Sequence, residues 1–317
     1  MKLAVLLDPL IHLKPHKDTS LAIIKRAQAE GWYCVYFTQK DLFCLKGRAY
    51  ARVYEIIIGD ERSTNWATIT PLGEKPLSDF EIILMRKDPP FNLEYVYTTY
   101  ALELAEQEGV LVANRPQSLR DANEKFFTLQ FTQCCPETLV SKDIQVLKAF
   151  WQQHQSVIFK PLDGMGGSSV FHVDEKGNNI SVILEVLTQG ETQSIMAQIY
   201  IPEIATVGDK RILLIDGEPV PYGLARIPAK GELRGNLAAG ARGEVVAINA
   251  RDRWICDQIT PRLKAMGLYF VGIDIIGDYL TEINVTSPTC LQEISAETGL
   301  DIAGDFLRSL EAHYLSH

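Results

Sequence analysis

Short apolar runs alternate with amphipathic stretches through the first third of this chain. Leu3 to Leu7, Ile82 to Met85 and Val110 to Ala113 have the length and composition of buried strands. Between them Leu21, Ile24, Ala27 and Gln28 fall on a helical period that stops at Gly31, and Leu93 to Gln107 has the same character and stops at Gly109. That alternation predicts βαβ units, hence an open and mainly parallel sheet reaching to about Pro116. In the middle third, Val157 to Lys160 and Ser169 to Val173 read as strands flanking a glycine-rich turn, with a helix near Ser181 to Leu187. The last third is richer in strands. Arg211 to Ile215 and Pro219 to Leu224 are joined by Asp216-Gly217, a strong hairpin turn. The polar, glycine-rich run from Ala229 to Gly243 carries Arg234 and Arg242 without periodicity and reads as a loop.

The most informative pattern is VGIDIIGDYLTEINVTSPTC, Val271 to Cys290. Two apolar strands meet at Gly277 and Asp278, and on the second strand Glu282 and Asn284, two apart, share a face. A three-residue loop would set Asp274 opposite Glu282. Three hard oxygen donors would then converge from an otherwise apolar hairpin. Such a set suits Mg2+, which takes one or two carboxylates and keeps positions for water and phosphate oxygens. The same spacing also fits the wet face of an antiparallel sheet.

Length and composition narrow the picture. A chain of 317 residues has room for two or three lobes, and 46% apolar with 22% charged residues is ordinary for a globular protein. The net charge of −9 argues against a nucleic-acid partner. No apolar run reaches membrane-spanning length, and MKLAVLLDPL reads as a first strand ended by Asp8 and Pro9, not as a signal peptide. Six cysteines without a C-x-x-C pair point to reduced thiols in the cytosol, with Cys134 and Cys135 as packing residues.

Several further residues suggest phosphate chemistry. Lys160 closes an apolar strand and is followed by PLDGMGGSSV, whose Gly164, Gly166 and Gly167 allow close backbone approach and successive N–H donors. Taken singly that segment is also a plain β-turn. Lys125 in RDANEKFFT follows Asp121 and Asn123, either of which suits a helix cap, and by itself it reads as a surface lysine. Met196 to Glu203 reads best as a buried strand, with a connector between lobes as the second reading. Lys210, Arg211, Arg226, Arg234 and Arg242 thicken the positive charge of the carboxyl half, where arginine suits carboxylate or phosphate and is otherwise a solvated surface residue. Arg86 follows a strand at the end where parallel sheets bind ligands. Ser287 and Thr289 suit a substrate carboxylate or an ordinary hydroxyl-capped turn. The six histidines form no catalytic pattern, and no G-x-S-x-G elbow is present.

The stretches MRKDPPF, NRPQSLRDANEKFFT, KPLDGMGGSSV, GDKRILLIDGEPVPYGLARIP, RGNLAAGARGE and GIDIIGDYLTEINVTSPT together resemble the prokaryotic glutathione synthetases of the ATP-grasp superfamily over essentially the whole chain. The resemblance implies an α/β and α+β architecture. A Rossmann-like unit at 1–122 would be followed by a central lobe at 123–200 with the glycine loop, then a lobe at 201–317 with a lid and a magnesium site. It implies that Lys125, Lys160, Gly166 and Gly167 hold ATP phosphates, and that Gln198, Tyr200 and Ile201 hold adenine. Asp274, Glu282 and Asn284 would hold Mg2+, with Mn2+ as the second candidate. Arg211, Arg226 and Arg234 would surround the reacting groups, and Ile227 to Arg242 would be a lid. The implied reaction joins γ-glutamylcysteine to glycine through an acyl phosphate, in a cytoplasmic homotetramer or dimer. The alternatives are another ATP-grasp carboxylate–amine ligase and an ATP-binding regulatory module without turnover. Ala241 stands in AAGARGE where the family pattern leads one to expect glycine, and a left-handed backbone there would cost about 1 kcal/mol.

Overall fold

A computed structural model describes residues 1–164, 166–229, 232, 235 and 240–316. The first unit runs β1 (Lys2–Leu7), α1 (Thr19–Ala29), β2 (Tyr33–Thr38), β3 (Leu42–Leu45), β4 (Arg48–Ile58), β5 (Ala67–Pro76), β6 (Ile82–Met85), α2 (Leu93–Gln107), β7 (Leu111–Ala113) and α3 (Pro116–Asp121). Its seven-stranded sheet has the order β3-β4-β2-β1-β6-β7, with β5 also on β4. The run β2-β1-β6-β7 is parallel. Leu3 to Leu7 are buried at every position, as a central parallel strand covered on both faces requires. Asp18 caps α1 by accepting the Leu21 N–H at 2.8 Å, and Gly31, at φ +78°, turns the chain away beyond its end.

The antiparallel extension β3–β5 was not foreseen from the sequence. Its first hairpin turns on Lys46-Gly47, both at positive φ (+51° and +77°), the backbone of a tight type I′ connection.

The second unit holds β8 (Thr138–Ser141), α4 (Ile144–His154), β9 (Val157–Pro161), β10 (Phe171–Val173), α5 (Ile180–Leu187) and β11 (Ile195–Ile199), in an antiparallel sheet of order β10-β9-β11-β8. It has its own small core around Leu147, Phe159 and Leu184. The third unit holds β12 (Asp209–Ile215), β13 (Glu218–Ile227), β14 (Arg242–Ala247), α6 (Ala250–Ala265), β15 (Phe270–Ile276), β16 (Tyr279–Asn284), α7 (Leu291–Thr298) and α8 (Ile302–Leu315). Its antiparallel sheet has the order β14-β13-β12-β15-β16.

The first and third units share their interior. One apolar core joins Leu3, Val5 and Ile82 to Leu213, Phe270 and Phe306. The Asn114 side chain adds polar stitching: its amide nitrogen donates to the carbonyls of Phe270 (2.8 Å) and Val285 (2.7 Å), and its oxygen accepts the Phe270 N–H at 2.9 Å. Among the described residues no helix is long and apolar enough to cross a membrane. All six cysteines are free.

Candidate active site

A cavity of about 380 Å3 opens where the three sheets approach one another, within the size range of small-molecule sites. The β15–β16 hairpin forms its floor. Ile276 pairs with Tyr279 across the two-residue turn, and Ile275 with Leu280, but Asp274 pairs with Glu282. Thr281 is therefore an extra, bulged residue. The expected opposition of Asp274 and Glu282 is present, achieved by a bulge near the turn and not by a longer loop. The Thr281 hydroxyl donates to the Asp274 carbonyl at 3.1 Å.

Asp274 is buried and heavily engaged. Arg211 meets it with two hydrogen bonds, Nε to Oδ1 at 2.5 Å and Nη2 to Oδ2 at 2.8 Å. Arg226 approaches Oδ1 at 3.0 Å, and the Asn284 amide nitrogen donates to Oδ2 at 3.3 Å. Burial pushes this carboxyl up, but the Arg211 and Arg226 guanidiniums outweigh burial and hold it well below the usual carboxylate range. Arg211 lies opposite Asp274 in the β12–β15 register, so the pair is set by strand alignment. Gly272 makes room for it: a Cβ there would meet Arg211 Cδ and Pro288 Cβ, each at 2.9 Å.

Arg226 also bonds Asp209, Nη2 to Oδ2 at 2.5 Å, across the β12–β13 register. Asp209 behaves oppositely to Asp274. Burial dominates, Arg226 only partly offsets it, and its carboxyl is pushed up to about 7. Among the described residues, Asp209 Oδ1 and Arg226 Nε are buried without a hydrogen-bond partner, and both residues line the cavity. Buried polar atoms left this way are candidates for ligand contact. Asp209 was missed in the sequence, although its two-residue spacing from Arg211 places both on one face of β12.

The lysines come from the second unit and its entry. Asn123 caps the short 3-10 turn at Phe126–Phe131 by accepting the N–H groups of Lys125 (3.1 Å) and Phe126 (2.8 Å). Lys125 is then turned inward, 3% exposed, where the surface reading would have left it in solvent. Its Nζ pairs with Glu124, donates to the Gly164 carbonyl at 2.7 Å and lies 3.6 Å from Glu282 Oε1. Burial lowers the Lys125 pKa, but Glu282 and Glu124 outweigh it and hold the lysine charged. Lys160 is also buried and donates to Gln198 Oε1 at 3.3 Å. There burial prevails and lowers the pKa. A buried cation with one neutral partner is ready to receive an anion. Gly166 and Gly167, at φ +65° and +73°, shape the loop between β9 and β10 and line the cavity.

Met196 to Ile199 lie in the buried strand β11, as the sequence alone favoured, and Gln198, Tyr200 and Ile201 line the cavity along it and where the chain leaves it. Ser287 and Thr289 line it too. Arg86 stands behind that wall. It is buried, with Nε donating to Ser20 Oγ at 2.9 Å and Nη2 donating to the Pro288 carbonyl at 2.8 Å. Arg234 and half of the expected lid lie outside the described residues. The left-handed position in the described end of that segment is Gly240, at φ +92°; Ala241 is not among the positive-φ residues, so the strain considered there does not arise.

The donor types suit a divalent cation. Among the described residues no three His, Cys, Asp or Glu side chains form a metal site by themselves. Glu282 and Asp274 face each other, and the Asn284 amide, bound to Asp274 through its nitrogen, keeps a carbonyl oxygen for coordination. That is an incomplete, all-oxygen set of the sort Mg2+ completes with substrate oxygens and water.

The model of the prokaryotic glutathione synthetase N-terminal domain matches residues 1–120, and that of the prokaryotic glutathione synthetase ATP-grasp domain matches residues 124–299. The glutathione synthetase of Pseudomonas aeruginosa is 55% identical over 294 residues, covering 93% of this chain and 92% of that protein. That of Escherichia coli O127:H6 is 50% identical over 312 residues, covering 98% of each. A crystal structure of a D-cycloserine synthetase superposes with a TM-score of 0.70 over 99% of this chain and all of that one, at 12% identity, a likeness of fold alone. With both family models spanning nearly its full length, the chain belongs to the prokaryotic glutathione synthetases and has the ATP-grasp fold.

Proposed function

We infer that this protein joins γ-glutamylcysteine to glycine at the expense of ATP, releasing ADP and phosphate. The observation that carries the reading is a continuous line of charge across one cavity. Lys125 reaches Glu282, Glu282 faces Asp274, and Asp274 is held by Arg211 and Arg226. In this reading, cations for phosphate and cations for a carboxylate are spaced by the two carboxylates that would hold a metal.

In this reading the cysteinyl carboxylate attacks the γ-phosphorus of ATP and ADP leaves. The glycine nitrogen then attacks the acyl phosphate, loses a proton and expels phosphate. Lys125 and Lys160 neutralise phosphate charge at the glycine loop, while Arg211 and Arg226 orient the reacting carboxylate and steady the oxyanion that follows. Arg234 adds a further cation from the loop. Ser287 and Thr289 take the dipeptide, and Arg86 holds the backbone between them from behind. Glu282, Asn284 and Asp274 would hold magnesium, or manganese in its place, which shields the phosphate oxygens when bound. The same reading carries a cytoplasmic enzyme acting as a homotetramer, which sedimentation would check.

The test is Mg2+-dependent ADP release with each substrate alone and with both. Release that requires both, with glutathione formed, is the expected result; release with another acid–amine pair alone would overturn it. Glu282→Gln should lower turnover at least about 100-fold with little change in unfolding midpoint.

A further inference from the structure

One histidine passed over in the sequence sits in the cavity wall. The His172 ring, on β10, lies against the ring of Tyr200, with centroids 4.1 Å apart and planes 23° apart. Its Nε2 is 2.8 Å from Ser156 Oγ. Ser156 is engaged twice, since its carbonyl oxygen accepts the Tyr200 N–H at 3.0 Å. The connector leaving β11 is therefore pinned at its backbone by Ser156 and at its ring by His172, and the imidazole is itself oriented by Ser156. Around this stack the wall is apolar: Ile158, which pairs with His172 across β9–β10, and Val170, Ile201 and Ile204 line the same cavity.

We propose that His172, oriented by Ser156 and stacked on Tyr200, is a positioning residue for the nucleotide base, fixing the connector against which the base lies. The inference rests on the reading of this cavity as a nucleotide site. Two flat rings in contact restrict Tyr200 to one orientation before ligand arrives, so less ordering remains to be done on binding. Burial lowers the His172 pKa against the opposing pull of Asp174 and Glu175, so the imidazole is neutral at pH 7 and carries no charge to desolvate beside the base. The phosphate-facing groups are a separate set. Lys125 and Lys160 are engaged with Glu124, Gly164, Glu282 and Gln198, whereas His172 and Ser156 bond each other.

That separation gives the test its form. Calorimetry on the full chain would compare Mg2+-ADP, which carries a base, with inorganic triphosphate, which does not. His172→Ala should weaken ADP about three- to tenfold, the range of an aromatic pair, and leave triphosphate unchanged. Ser156→Ala should shift ADP in the same direction by less, and His172→Phe, which keeps a flat ring, should recover most of the loss. In turnover the KM for ATP should rise by the same factor, with kcat within about twofold. Equal losses for ADP and triphosphate, or an unchanged ADP affinity in His172→Ala, would overturn the inference. If the parent protein bound neither ligand, the nucleotide reading of the cavity would fall first and take this inference with it.

Discussion

Asp209 and Asp274 show how neighbouring carboxylates acquire different characters from their surroundings. Asp274 is buried and Asp209 half-buried, and each touches Arg226. Asp274 is hydrogen-bonded by a second guanidinium, from Arg211, and stays ionised; Asp209 feels Arg211 only at a distance, and burial raises its carboxyl to about 7. The sign of the consequence is definite. Between its ordinary value of 3.8 and about 7, the folded protein keeps a proton on Asp209 that the unfolded chain has released, so this group's contribution to stability falls as pH rises through that window. Asp209→Asn removes the titration. The unfolding free energy of the variant minus that of the parent should therefore move in the variant's favour from about pH 4 to about pH 7, by at most about 1.4 kcal/mol per pH unit, and level off above. A flat difference from pH 4 to 8 would show that the carboxyl is not raised. Residues of this kind were only half legible in the sequence. Glu282 and Asn284 declare a shared face through strand period alone. The inward turn of Lys125 depends on the Asn123 cap, and the place of Arg86 behind the wall depends on Ser20 and Pro288, contacts distant in the chain.

At the scale of elements, the hairpin and its neighbours make the site by register. A two-residue turn with regular pairing would put Asp274 opposite Thr281; the bulge moves it opposite Glu282. The apolar run and Gly-Asp turn were readable, but a bulge leaves no mark in hydrophobic alternation beyond a shift of one. The β3–β5 extension escaped for a related reason: half-exposed strands such as β5 alternate only weakly, with most of its positions open to solvent. Gly272 tests the packing under the hairpin. Gly272→Ala drives a methyl into Arg211 Cδ and Pro288 Cβ, and about 1–3 kcal/mol of destabilisation is expected. Because Arg211 must move, kcat/KM for the dipeptide should fall well beyond what the loss of folded protein explains. Denaturation midpoints and kinetics on the same preparation separate the two, and an unchanged kcat/KM would show that Arg211 tolerates displacement.

For the whole molecule, the division of the core matters most. The second unit closes its own small core, whereas the first and third are bound through a common interior and by Asn114. A lobe with few apolar ties is the part expected to open at least cost. Amide hydrogen exchange should therefore be faster across β8–β11 than across β1 and β6, and Mg2+-ADP should slow the former at least about tenfold while leaving the latter unchanged. Uniform slowing of all three sheets would mean that the lobes move as one. Length alone allowed two or three lobes and the resemblance implied three consecutive units; neither gave access to the shared interior, which joins residues far apart in order. That interior also sets a timetable for synthesis. Domains ordinarily fold as they leave the ribosome, amino end first. Here α8, far along the chain from α1, packs on α1 and places Phe306 in the same core as Leu3 and Val5. Until α8 has emerged, that apolar face of the nascent first sheet is covered only in part, by α1.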